Sequence, residues 1–234
     1  MRATLFSSFV PLLWILAAAQ VSALEVVIPL EAGVVQVFVF DEAEGSQHSH
    51  AGPAGDPCGD GSTQYKLLRV SWGAFPVNIH YDGGSLETLA AGGADQARAA
   101  FNSWDAQEHP AGAFFLEVAS AADAKVKVLA GPVDGALGTL AVTSYSYNRF
   151  TKRFIEATVT FDTAESWGIL AANACTASGS SFDIQNVGAH EAGHVVGLGH
   201  VSDAQQTMYT YGSPGITKHR SLGKGDQAGI DKIY

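Results

Sequence analysis

Apolar and polar positions change rhythm several times along this chain. From about Gln64 onward, LLRVSW, VNIHYD, FFLEVA, AKVKVLA, TLAVTSYSY and FIEATVTFD read as β-strands, bounded by Gly- and Pro-rich turns such as GPVDGALG. Helical spacing takes over between Ser85, a plausible N-cap, and Asp105, where Leu86, Leu89, Ala97, Ala100, Phe101 and Trp104 recur on one face. A second helix is expected to begin near Ser181 or Asp183 and run through DIQNVGAHEAGHVVGLG. A last one fits GDQAGIDKIY, with Asp226 near its start. Strands and helices in this order, with no internal repeat, predict an α+β domain over residues 64–234.

The first 63 residues have other patterns. Arg2, the apolar run from Leu5 to Ala19 and the small residues Val21-Ser22-Ala23 have the layout of an export signal cleaved after residue 23. Residues 24–63 are then an acidic N-terminal arm or a short pro-segment. Glu25, Glu31, Asp41, Glu42, Glu44 and Asp56 lie there without a single Lys or Arg. Two β-prone runs, VVIPL and VVQVFVF, precede a loop-like stretch in it. No later run reaches membrane-spanning length, so a secreted chain without stable membrane association, and a monomer, is expected.

Composition narrows the functions. With 47% hydrophobic and 15% charged residues the chain can bury a core, which excludes whole-chain disorder. Thirteen Lys and Arg against 23 Asp and Glu give a net charge of −10, the wrong sign for tracking phosphates, so no nucleic-acid partner is expected. Two cysteines are too few for a multi-cysteine zinc site. In an oxidising compartment Cys58 and Cys175 are expected to pair.

Chemistry concentrates in HEAGHVVGLGH, residues 190–200. On a helix His190 and His194 stand one turn apart, so both imidazoles can meet one metal ion. Gly197 falls where the helix must stop and the chain turn back, which a left-handed glycine permits. His200 then becomes a third ligand, leaving zinc an open position of the catalytic kind. Glu191, beside the first ligand, can act as general base toward a water activated at the metal. Structural histidines on an ordinary helix are the competing reading, but three imidazoles and a carboxylate within eleven residues favour a metal site.

With Gly197 and His200 added to HExxH, the motif resembles that of the metzincin zinc endopeptidases. Met208, eight residues after His200 and followed by Tyr209, resembles the methionine turn of their matrixin (matrix-metalloproteinase-like) branch. WGAFPVNIHYD, FNSWDAQ, FDIQNVGAHE and RSLGKGDQAGIDKIY resemble that family's opening strand, first helix, approach to the zinc helix and closing helix. The resemblance implies a twisted mixed sheet with a long helix, a zinc-binding helix and a C-terminal helix. It also implies one catalytic zinc and a polypeptide substrate, extended along an edge strand against the backbone of Leu140 and Ala141, with residues 206–211 walling a side-chain pocket. A structural calcium would take Asp134, Gly135, Leu137, Thr139, Asp162 and Glu165; Leu137 stands where the family has glycine. The family's second, structural zinc is not expected, because Val142 and Thr160 stand at two of its histidine positions. D-P-C-G-D around Cys58 faintly resembles the family's pro-segment cysteine, but lacks the residues usual around it, so the disulfide is preferred.

Three functions compete at this stage: a secreted zinc endopeptidase, an inactive metal-binding or adhesion module of the same fold, and an exported zinc buffer. Retention of Glu191 favours the first, since a purely structural site has no use for the base. A single buried site makes a poor buffer. His48, His50, His80, His109 and His219 are expected to be surface or locally bonded residues.

Overall fold

A computed structural model describes residues 25–30, 33–43, 61–105, 113–171, 175–176 and 179–234. The expected export signal, Cys58, His48, His50 and His109 lie outside them. Two N-terminal strands, β1 (Glu25–Pro29) and β2 (Val34–Ala43), form a hairpin; β3 (Lys66–Leu67) and β4 (Val77–Tyr81) follow. Then come α1 (Gly83–Leu86), α2 (Gly93–Asp105), β5 (Phe115–Glu117), β6 (Val126–Gly131), β7 (Thr139–Asn148) and β8 (Arg153–Asp162). After β9 (Trp167–Gly168) and β10 (Phe182–Asp183) come α3 (Ile184–Val196), β11 (Leu198–Gly199), β12 (Tyr211–Gly212), a 3-10 turn at Lys218–Arg220 and α4 (Lys224–Ile233).

The main sheet runs β1-β2-β7-β8-β6-β4-β5, and β12 joins β2 from outside that path. It is mixed: β4, β5, β6 and β8 are parallel neighbours, while β7 is antiparallel to both β8 and β2. Alternation seats one face. Val77, Ile79 and Tyr81 of β4, and Val126, Val128 and Ala130 of β6, are buried while their neighbours are half-exposed. Helices α2 and α3 pack on each other and on this sheet, closing a core around Phe101, Trp104, Phe161 and Ile184. Each such large side chain contributes about 1.5–3 kcal/mol by leaving water.

Two expected elements differ. The helix from Ser85 is broken into α1 and α2, because Gly92 turns left-handed at φ +87° and Glu87 bends back to accept the N–H groups of Gly92 and Ala94. Of LLRVSW only Leu67 is in a strand, β3, since Arg69 at φ +61° turns the chain; Ser71 then makes a single bridge to Arg153. No described helix is long and apolar enough to cross a membrane.

The helix that carries the motif is buried all round, as its apolar sequence requires. Asp183 caps it, accepting the N–H of Asn186, and is itself held by Arg220 through two charge-assisted hydrogen bonds of 2.7 and 2.5 Å. The indoles of Trp104 and Trp72 donate to the carbonyls of Ala189 and Val195. These bonds fix the rotation of α3, and so where its histidines point.

Candidate metal centre

His190 and His194 project from one face of α3, and the helix stops at Gly197, whose φ of +108° is left-handed. Beyond it, β11 pairs antiparallel with β3 and delivers His200 to the same point. The Nε2 atoms of His190 and His194 lie 3.1 Å apart, as do those of His194 and His200. Metal–nitrogen bonds of about 2.0–2.1 Å in a tetrahedral shell place two ligand nitrogens about 3.3 Å apart, so the spacing fits one zinc ion. The other ring nitrogens support this: His190 Nδ1 donates to Thr207 O at 2.7 Å and His194 Nδ1 to Leu198 O at 2.8 Å. With the proton on Nδ1, each Nε2 lone pair faces the common centre. Burial lowers His194 to about 4, whereas at His190 burial is outweighed by the neighbouring carboxylate of Asp41, which shifts the imidazole upward.

A fourth group completes the cluster, and it comes from the acidic arm. Asp41 of β2 is buried, with Oδ1 3.1 Å from His190 Nε2, in a short contact with His200 Nε2, and Oδ2 3.5 Å from His194 Nε2. Oδ2 receives no N–H or hydroxyl donor, and the Glu191 carboxyl stands beside this carboxyl, two buried acids that a cation between the imidazoles would suit. Burial opposes its charge, but the three imidazoles outweigh burial and hold its carboxyl well below the usual range. Among the described residues, Asp41, His190, His194 and His200 are the group of His, Cys, Asp or Glu side chains whose ligand atoms gather this closely, within 4.8 Å.

Glu191 is fully buried beside the cluster. Thr143 of β7 donates to its Oε2 at 2.5 Å, and the carboxyl of Asp41 is its other neighbour. Burial, followed by the charge of Asp41, pushes this carboxyl well above its ordinary value. Met208 lies under the helix: a Cβ at Gly193 would collide with its sulfur. The turn around it is anchored by Asp226 of α4, which accepts the N–H groups of Thr207 (2.7 Å), Met208 (3.3 Å) and Gly223 (2.8 Å). Since Thr207 also orients His190, Asp226 positions the methionine turn and one of the clustered imidazoles together.

The remaining predicted residues are placed as follows. Leu140 and Ala141 lie on β7, where the backbone already pairs with β2, Asp41 standing opposite Ala141. The Asp134–Thr139 loop meets the end of β8: Asp162 accepts the N–H groups of Asp134 and Gly135, and Glu165 that of Gly138. These carboxylates are turned toward backbone amides rather than gathered at one point. Leu137 adopts φ +65° and is exposed, the backbone conformation that glycine reaches without strain. Val142 and Thr160 face each other across β7 and β8. Cys175 accepts the N–H of Thr217 at its carbonyl, while Cys58 is outside the described residues.

Sequence reasoning missed Asp41, Thr143 and the role of His219. Asp41 carried a legible signal: it continues the row Val35, Val37, Val39 on the buried face of a strand, where a carboxylate needs a partner. Thr143 had none. His219 is locally bonded, to Ala204 O at 3.1 Å, but it is buried rather than on the surface; burial lowers it to about 4. With Leu140, Val187, His190, Tyr209 and Tyr211 it lines a pocket beside Asp41.

The family model of the matrixins matches residues 90–234. Metalloendoproteinase 1-MMP of Arabidopsis thaliana is 33% identical over 143 residues, 58% of this chain and 36% of that protein. Metalloendoproteinase 4-MMP of the same plant is 32% identical over 143 residues, 58% of this chain and 38% of its own length. Metalloendoproteinase 1 of Glycine max is 41% identical over 76 residues, 32% of this chain and 24% of that protein. The chain thus spans well under half the length of these relatives. Because the family model covers more than half of its residues, including the whole HEAGHVVGLGH stretch, this chain belongs to the matrixin family of metzincins.

Proposed function

We infer that this chain is a secreted zinc endopeptidase. The observation that carries the reading is the convergence of three imidazoles, Nε2 to Nε2 at 3.1 Å, beside a buried carboxylate that is not one of them. His190, His194 and His200 would hold the ion. Bound zinc supplies Lewis acidity, bringing the pKa of water toward about 7 and polarising a carbonyl. Glu191, whose Oε1 is not held by Thr143, is the group to accept the proton of the attacking water, and the same carboxyl then passes it to the leaving amine. Thr143 holds Oε2 and so fixes which oxygen faces the reacting atoms. Peptide would lie extended on β7 at Leu140 and Ala141, in the manner of an added strand. The 206–211 wall and His219 would bound the pocket for one side chain.

Casein hydrolysis by the purified, zinc-loaded protein tests this. Activity should vanish on chelation, and in Glu191→Ala with zinc still bound. Undiminished hydrolysis by the Glu191→Ala protein rejects the mechanism, while zinc binding without hydrolysis by any form of the chain returns the inactive-module reading. Intact-mass measurement of the secreted chain reports cleavage after residue 23 and the state of Cys58 and Cys175. The calcium reading rests on the resemblance and on the meeting of the Asp134–Thr139 loop with Asp162 and Glu165. Calorimetric titration with calcium should show one site, and absence of heat rejects it.

A further inference from the structure

The N-terminal hairpin lies where a substrate is expected. Strand β2 runs antiparallel along β7 from Val34↔Asn148 to Glu42↔Thr139, and it pairs parallel with β12 at Tyr211 and Gly212 on its other side. Among the described strands, β7 without β2 would present a free edge, the template that an extended peptide uses. The hairpin thus sits between the predicted substrate strand and the pocket wall. At its end Asp41 reaches the three histidines. A catalytic zinc site keeps one position open, whereas four protein ligands make a closed, structural one.

We propose that residues 25–43 are a built-in inhibitory hairpin that fills the peptide cleft and closes the metal centre, with Asp41 as fourth ligand. This rests on the peptidase reading for the consequence, but the ligation stands on geometry alone. Asp41 Oδ1 lies against the Nε2 atoms of His190 and His200 and Oδ2 3.5 Å from that of His194, and Val35, Val37 and Val39 seat the strand in the core. Tethering makes the block efficient. At an effective concentration of about 1 mM, a hairpin that binds in trans with an affinity of only about 10 μM suppresses the open form about 100-fold. Activation then requires a cut between the hairpin and the domain. Residues 24–65 contain no Lys or Arg, so a trypsin-like protease cannot make that cut.

The test compares the cobalt(II)-loaded full chain, its Asp41→Asn variant, and a full chain carrying a site-specific protease sequence in place of residues 47–53, before and after cutting and dilution. Three readouts are taken: visible cobalt absorption, its response to acetohydroxamate, and hydrolysis of a quenched peptide by the corresponding zinc forms. The uncut chain should show a cobalt spectrum indifferent to hydroxamate and weak hydrolysis. Asp41→Asn should change the spectrum, and cutting should make the metal responsive and raise hydrolysis about 100-fold. Trypsin should not reproduce this gain. An unchanged spectrum in both Asp41→Asn and the cut chain, or an uncut chain as active as the cut one, overturns the proposal. If Asp41→Asn does not fold, the cut chain decides alone. A cut chain that binds hydroxamate but cleaves no peptide upholds the hairpin and rejects the peptidase reading instead.

Discussion

Gly193→Ala sets two effects of opposite sign against each other in the helix that carries the histidines. Alanine is the better helix former in a helix interior, by about 1 kcal/mol. Its Cβ, however, would overlap the sulfur of Met208 and lie 2.9 Å from Trp104 Cζ2. Neither neighbour has room to retreat: Met208 and Trp104 are both 1% exposed, and the indole is tied to Ala189 O. Overpacking of this kind costs about 1–3 kcal/mol, and an overlap with a fully buried sulfur belongs at the upper end, so the net effect is a loss of about 1–2 kcal/mol. Met208→Ala alone should cost about 2–5 kcal/mol, through lost burial and the cavity left behind. Together the two changes relieve the overlap, so the double variant should lose at least about 1 kcal/mol less than the sum. Urea unfolding of the zinc-loaded proteins, followed by tryptophan fluorescence, measures all four corners of the cycle. Additivity within about 0.5 kcal/mol, or a Gly193→Ala protein more stable than wild type, would refute the packing of methionine against this glycine.

Other consequences follow from the same geometry. Arg220→Ala leaves the fully buried Asp183 without its cation and should destabilise the fold by about 3–5 kcal/mol in the same urea assay. Asp226→Asn turns an amide toward backbone donors and loosens the Thr207 carbonyl that orients His190. Zinc affinity, read by competition with a chromogenic chelator, should fall about 10–100-fold. Thr143→Val frees Oε2 of Glu191 and should lower kcat about tenfold, the equivalent of one hydrogen bond of about 1.4 kcal/mol, with zinc content unchanged. His219 is held near 4 by burial, against about 6.5 in the unfolded chain. As pH falls through that window the unfolded state takes up the proton first, so stability present above 6.5 is progressively lost toward 4. A His219→Gln variant should therefore gain on wild type as pH is lowered from 7 to 4.5, measured as the difference in urea midpoints.

What was legible in the chain was whatever depends on short sequence distances. The motif helix, its start near Ser181 or Asp183 (Asp183 is the cap), its stop at Gly197 and the pairing of His190 with His194 all follow from local sequence. Leu137 was marked as a departure from glycine, and it does take a positive φ. The α1–α2 break was missed because the capping bond from Glu87 to Gly92 and Ala94 leaves no trace in the apolar periodicity.

The sequence by itself determined that His190 and His194 would face one point with Glu191 beside them, because helical geometry converts residue spacing directly into distance; His200, past the helix end, arrives through the pairing of β11 with β3. It could not determine what shares that space. Asp41 is separated from His190 by 149 positions and Thr143 from Glu191 by 48, and only the packing of α3 on β7, with β2 paired beside β7, brings them together. An acidic arm and an inhibitory hairpin have the same composition. Only the register of β2 against β7 aims Asp41 at the histidines, and a slip of one residue would turn it to the opposite face of the sheet.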